Sequence, residues 1–372
     1  MIPMGACQIS RKHKVFELAS SYVGAVVGAG FASGQEQVHF FFSMRLRSGQ
    51  YAFSIGPGVF LSGALFMLFG AALGELVFRY QTSSSQEFLR RTVPWPLSIL
   101  YDSLMTCFIF WSLSIMLAGS GALFHQSFGV PLRVGICIMA VFTILVTAAG
   151  VNGLLVVNSI MSPFMVLMPV LVAILSIWRN AQGLPMSTYA TSLRNVFIEA
   201  LTPSWPLSAL LYVSYNILLV VGVFASIGRD ISDNDAARQG GLLGGIAVTF
   251  FLIAVQAVLV VHGESVLGQQ LPMLKAASFH GALVERGYSL ALWFAMATTS
   301  VCSAFALSQR LSKHISASPL SAITAITVAA SLSAQLGFTE LVSTVYPIVG
   351  YMGLPVLASI ILHFLKRPSE LG

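Results

Sequence analysis

The stretch GAVVGAGFASGQEQVHFF, Gly24 to Phe41, lies inside the first long apolar run of the chain. A segment that crosses a bilayer as a plain helix has no need of Gly24, Gly28, Gly30 and Gly34, nor of Ser33, Gln35 and Glu36 in its middle. Glycine costs about 1 kcal/mol relative to alanine in a helix interior, so this cluster marks the weakest place to stay helical. The expected break lies near Gly28 to Ala32. Breaking a helix in hydrocarbon leaves amide groups that each cost several kcal/mol, so the break must line a wet cavity or a binding site.

The residues that follow support a restart. Ser33-Gly34-Gln35-Glu36 matches the S-x-x-E capping box, which predicts a half-helix beginning at Ser33 with Glu36 reaching back to it. Its N-terminus would suit an anion, and the loose carbonyls of Gly24 to Gly28 would suit a cation or an ammonium group. Other readings stay open at this point. Gly24-x-x-x-Gly28 is also the pattern of a close helix-packing face, and Glu36 is either a cap or a direct ligand of substrate or proton. His39, near the span end, suits the interface or a neighbouring helix as well as a proton relay. A phosphate loop is excluded by spacing and by the lack of a preceding strand.

Working outward, the 372 residues are 56% hydrophobic and only 9% charged, and the mean hydropathy is +0.84. That is the composition of a polytopic membrane protein. The net charge of +6 comes from Lys and Arg between apolar runs, where they set orientation, so a nucleic-acid partner is excluded. Cys7, Cys107, Cys137 and Cys302 are scattered and suggest neither disulfides nor zinc. A cleaved signal peptide is disfavoured because apolar residues resume at Val38, Phe40, Phe41 and Phe42.

A span needs about 20 mostly apolar residues. Ten candidates result: 16–41, 53–79, 97–124, 132–149, 151–177, 204–227, 240–261, 287–311, 319–336 and 339–365, with only a tight turn at Gly150-Val151-Asn152-Gly153 between the fourth and fifth. With the N-terminus inside, twelve basic residues fall on the cytoplasmic side and seven outside, which predicts cytoplasmic termini. The polar gap from Arg179 to Pro203 separates five spans from five. Five is odd, so two similar halves, 15–178 and 203–366, would have opposite topology, the arithmetic of an inverted repeat within one transmembrane domain.

The partner of the first span would then be the sixth, where SALLYVSYNILLVVGVF carries Ser208, Tyr212, Ser214, Tyr215 and Asn216. Tyr212, Tyr215 and Asn216 have helical spacing and can share a face, or can bond across neighbouring helices. In the eighth span Thr298, Thr299 and Ser300 are adjacent. Their hydroxyls offer an all-oxygen environment for a hard cation, or bond their own i−4 carbonyls. Glu75 and Arg79 have ion-pair spacing, and Asp102 lies near a span end. No catalytic motif falls within one membrane plane, so no enzyme is expected.

The segment YVGAVVGAGFASGQE, with LYVSYN and TTS in the sixth and eighth spans, resembles the YkvI family of bacterial membrane proteins over most of the chain. That family is related to the amino acid/polyamine/organocation transporters with the LeuT-like fold. The resemblance implies an all-α fold of about ten helices in a 5+5 inverted repeat, broken first and sixth helices, and a substrate site between them. Resemblance to the sodium symporters of that fold implies a sodium site from the carbonyls of Gly24 and Val27, the hydroxyls of Thr298 and Thr299, and Ala295. Two departures stand out: Phe31 replaces the Asn of many symporters, and the sixth span lacks a central glycine. Some proton-coupled relatives carry a lysine on the fifth helix, whereas Val151 to Trp178 contains neither Lys nor Arg.

The function that the residues together with this resemblance imply is sodium-coupled symport of a small amino-acid-like or zwitterionic solute by alternating access, in a bacterial cytoplasmic membrane. Substrate contacts are expected from Gly28, Ala29, Gly30, Phe31, Ala32, Ser33, Gly34 and Glu36, completed by Tyr212, Ser214, Tyr215 and Asn216. No cofactor is expected beyond the coupling ion, and the partners are the solute and membrane lipid. The alternatives are a proton-coupled transporter and a ligand-sensing subunit that keeps the fold without transport, as spore-germination receptor subunits do; fold alone does not decide.

Overall fold

The computed structural model describes residues 4–42, 52–149, 167–179, 204–231, 233–311 and 319–366. The junction at 150–153 lies outside the described residues. Among those described, all regular structure is helical: α1 (Met4–Val26), α2 (Ala29–Ser33), α3 (Gln35–Gln37) running into a π turn (Val38–Phe42), α4 (Ala52–Tyr80), α5 (Ser85–Thr92), α6 (Trp95–Phe128) and α7 (Leu132–Ala148). There follow α8 (Leu167–Arg179), α9 (Trp205–Ser226), α10 (Asn234–His262), α11 (Glu264–Leu267), α12 (Pro272–Ser278), α13 (Ala282–Leu311), α14 (Pro319–Ser333) and α15 (Phe338–Leu365). Six of these, α4, α6, α9, α10, α13 and α15, are long and apolar enough to cross a membrane, and α7, α8 and α14 belong to shorter apolar helices. Large apolar side chains face outward along α7 (Val141, Leu145) and α10 (Ile246, Phe250). Such a surface is costly in water and ordinary in lipid. The protein is a multi-pass membrane protein.

The first span is interrupted, as the glycines require. α1 stops at Val26, Gly28 is extended, and α2 is a single short turn ended by Gly34 at φ 81°. That left-handed conformation is open to glycine without steric cost. The sixth span is different: α9 is continuous from Trp205 to Ser226, which corrects the expectation of a broken sixth helix. With Gly222 its sole glycine, and with Asn216 donating to the Tyr212 carbonyl at 2.9 Å, its backbone has no weak point comparable to residues 24–34.

Glycine serves a second purpose in α10. A Cβ on Gly241 would collide with the Gly70 carbonyl of α4, and one on Gly245 would meet Met67 and the Phe66 carbonyl. Gly240 and Gly244 instead receive Leu18 and Tyr22 of α1. Small residues on two faces thus let α10 lie backbone to backbone against α4 while seating α1, the packing that substitutes for a hydrophobic driving force in lipid. The Glu75–Arg79 ion pair forms, and Asp102 pairs with Arg310 of α13 at 3.1 Å.

Gly241→Val should therefore destabilise the bundle by at least the 1–3 kcal/mol typical of overpacking, read as a lowered thermal midpoint in detergent. Gly56→Val, where the added Cβ meets open space, should leave the midpoint nearly unchanged.

Candidate functional site

The break in the first span opens onto a cavity of about 330 Å3, at the lower end of the usual size for a small-ligand site. Gly24 and Val26 from the end of α1, Gly28, Ala29 and Gly30 from the break and α2, and Glu36 of α3 form one wall. Phe108, Ser112 and Met116 of α6, Tyr215 and Asn216 of α9, Thr298, Thr299, Cys302 and Ser303 of α13 and Tyr346 of α15 form the rest. Glu36 is its one charged lining residue among the described residues, and neither Lys, Arg nor His lines it.

Glu36 is 4% exposed and accepts a hydrogen bond from the Tyr215 hydroxyl. The Tyr215 ring is sandwiched, with Tyr346 at 4.8 Å and 10° on one side and Phe40 at 5.7 Å and 18° on the other. The carboxylate lies alongside Gly30 so closely that any Cβ there would strike it, and would come within 3.1 Å of the Tyr346 hydroxyl. Gly30 is thus glycine because a buried acid occupies the space of its side chain. The expected capping box does not form: Gln35 N–H donates to Ser33 Oγ at 3.2 Å, and Ser33 donates to the Gly30 carbonyl at 2.8 Å. Glu36 is not a cap because Tyr215 holds its carboxylate instead.

Backbone groups at the break are redistributed. The Gly28 N–H turns to the Val26 carbonyl at 2.9 Å, which leaves the Gly24 carbonyl without its usual i+4 donor. A Cβ on Gly24 would meet nothing within 4 Å, and one on Gly28 only Thr299 Oγ1 at 4.0 Å. These two glycines therefore border space rather than a tightly packed helix, which separates the break from the packing-face reading. Across the cavity Thr298 and Thr299 both donate to the Ala295 carbonyl, at 3.1 and 3.0 Å. Ser300 points away and bonds Thr143 of α7 at 2.6 Å.

Several expected residues do not line the cavity. Phe31, Ala32, Ser33 and Val27 are buried, and Gly34 faces Met273 and Leu259. The Ala32 carbonyl accepts from Tyr288 of α13 at 2.5 Å. Tyr212 packs among Phe40, Phe41 and Phe66 with its hydroxyl unpartnered, and Ser214 is wedged against Gly353. Ala295 contributes only the carbonyl that both threonines engage. Asn216 does line the cavity, and its Oδ1 is buried without a partner. Tyr346, not expected from the sequence, carried as its one signal a position immediately before Pro347 in the last span.

No family profile matches the chain. It is 27% identical over 364 residues to the uncharacterized membrane protein YkvI of Bacillus subtilis, covering 97% of this chain and 99% of that one. The chain is a homologue of YkvI. Among solved structures, the manganese transporter of Eremococcus coleocola superposes with a TM-score of 0.62 at 13% identity, over 95% of this chain and 80% of the other. MhsT, solved in complex with L-phenylalanine, superposes with a TM-score of 0.62 at 16% identity, over 95% and 90%. At such identities the likeness speaks to the fold, which is that of the LeuT-like transporters.

Tyr215→Phe should leave the buried carboxylate without its donor and cost about 1–3 kcal/mol of stability. Gly30→Ala should cost a similar amount by displacing the same carboxylate. Because both act on one contact, the double variant should lose less than the sum of the two in thermal unfolding.

Proposed function

We propose that this protein is a secondary active transporter of a small amino-acid-like or zwitterionic solute, coupled to sodium and working by alternating access. The observation that carries the reading is the interrupted first span, whose break opens onto a cavity shared with α6, α9, α13 and α15. An interruption in hydrocarbon is tolerated only where it is buried in protein or lines such a site, and this one lines the site. The first-turn N–H groups of α2 at Ala29 and Gly30, both in the cavity lining, lack intrahelical acceptors by the geometry of a helix start and suit the anionic end of the solute. The amine faces Glu36, Tyr346 and the Asn216 Oδ1.

Sodium suits the opposite corner. Thr299 gives its hydroxyl proton to the Ala295 carbonyl and so offers oxygen lone pairs to a cation, Thr298 lies beside it in the cavity lining, and the Gly24 carbonyl has lost its helical donor. This all-oxygen set matches a hard ion. Gly24, Thr298 and Thr299 are retained as ligands in this reading, while Val27 and Ala295 are set aside because neither lines the cavity.

The 5+5 inverted repeat, 15–178 with 203–366, is supported by matching element lengths. The second helices, α4 and α10, have 29 residues each; the third, α6 and α13, have 34 and 30; the fourth, α7 and α14, have 17 and 15. The excess of basic residues in alternate loops supports cytoplasmic termini in the bacterial cell membrane.

Thermal stability across a panel of small metabolites, in sodium or choline, tests the reading. A ligand at about 100 times its dissociation constant adds about 2.7 kcal/mol. We expect a sodium-dependent shift that Thr298→Ala abolishes, and sodium-driven accumulation of the same ligand in proteoliposomes. Stabilisation indifferent to sodium and to Thr298 would reject the cation site; binding without accumulation would favour a sensor.

A further inference from the structure

At the end of the bundle where α8 and α10 finish and α13 begins, three side chains from separate elements converge. Ser176 Oγ of α8 hydrogen-bonds His280 Nε2 at 2.8 Å and His262 Nε2 of α10 at 3.0 Å. His280 lies in the link between α12 and α13. The His262 ring stacks on Phe279 at 5.0 Å and 18°, and the Phe279 carbonyl accepts from Arg179 at 2.5 Å. Both ends of α12 are therefore engaged: its C-terminal end in this cluster, and Met273, near its start, against Gly34 in the interrupted span.

We propose that Ser176, His262 and His280 form a pH-sensitive latch that holds α12 down over the broken first span at neutral pH and releases it in acid. A serine hydroxyl has one proton to give. With both imidazoles neutral, one accepts that proton and the other donates its own N–H to Ser176, and both bonds are made. Protonating the accepting imidazole turns it into a donor, removes the acceptor of the serine proton and places positive charge beside the second ring. Among the described residues the charged side chain that acts on both imidazoles, Arg179 of α8, is also cationic, as is Lys275 of α12, whose ammonium lies 5.3 Å from the Phe279 ring. Among the described residues neither imidazole has a carboxylate partner in an ion pair.

Burial, followed by the charge of Arg179, holds the His280 imidazole below its usual range. A group whose proton affinity is lowered in the latched state binds more protons once released, so the latch is intact above the ordinary imidazole range and is lost as pH falls through it.

Hydrogen–deuterium exchange of the full chain in nanodiscs, at about pH 8 and about pH 5.5 and corrected for intrinsic amide rates, tests this. Exchange in 272–281 should accelerate about tenfold or more in acid, while α4 and the buried face of α10 stay protected. His262→Gln/His280→Gln keeps hydrogen-bonding groups without the titration and should remove the pH response; Ser176→Ala should exchange fast at both values. Equal wild-type protection at both pH values would overturn the latch, as would a double variant that responds like wild type. Neither result bears on the cavity or its ligand.

Discussion

An amide group left unpaired in hydrocarbon costs several kcal/mol, and this constraint governs everything near residues 24–42. The chain interrupts a span there twice, at Val27–Gly28 and at Gly34, and the rest of the bundle answers for it. Tyr288 of α13 donates to the Ala32 carbonyl at 2.5 Å and Ser208 of α9 to the Phe40 carbonyl at 2.5 Å. Ser33 closes on Gly30 from within the segment. The Gly24 carbonyl, which none of these donors reaches, belongs to a residue that lines the cavity.

The glycines divide by what surrounds them. Those of α10 are pressed against backbone from α4 and side chains of α1, so they lock a framework. Gly24 and Gly28 border open space, and Gly30 makes room for a carboxylate. Sequence spacing alone does not separate these uses, because small-xxx-small pairs and a helix break draw on the same residue. What separates them is the contact that a Cβ would make.

Much of the architecture was legible because hydropathy is a one-dimensional signal: apolar runs place the second to fourth and sixth to tenth helices close to where they lie, whereas α1 begins at Met4, well before the run that starts at residue 16, and the fifth is described only from Leu167. The break was legible because glycine has a local cost. The pocket was legible only in part, since lining is decided by which face of a helix meets its neighbour. Tyr215 and Asn216 face the cavity, whereas Tyr212, on the same helix and at the same apparent spacing, is absorbed into an aromatic cluster with Phe40 and Phe66. Tyr346 stands 131 residues from the Tyr215 it stacks on, counting along the sequence, and carries no motif. The broken sixth helix was an expectation borrowed from resemblance, and α9 lacks the residues that would make a break cheap.

The two ends of the interrupted span are tied to different partners. α1 is seated in the glycine notches of α10, which is itself locked to α4. Beyond Gly34, Glu36 is bound to Tyr215 and the π turn to Ser208, both on α9, and Tyr215 stacks in turn on Tyr346 of α15. Between these anchors lie two points where the helical ladder is already open, Val27–Gly28 and Gly34. A displacement of one block against the other would meet least resistance there, where the regular helical ladder is already interrupted. The cavity sits beside the first of these points, so any change in the bend alters the space available to a ligand and the position of Glu36, the carboxylate that lines it among the described residues.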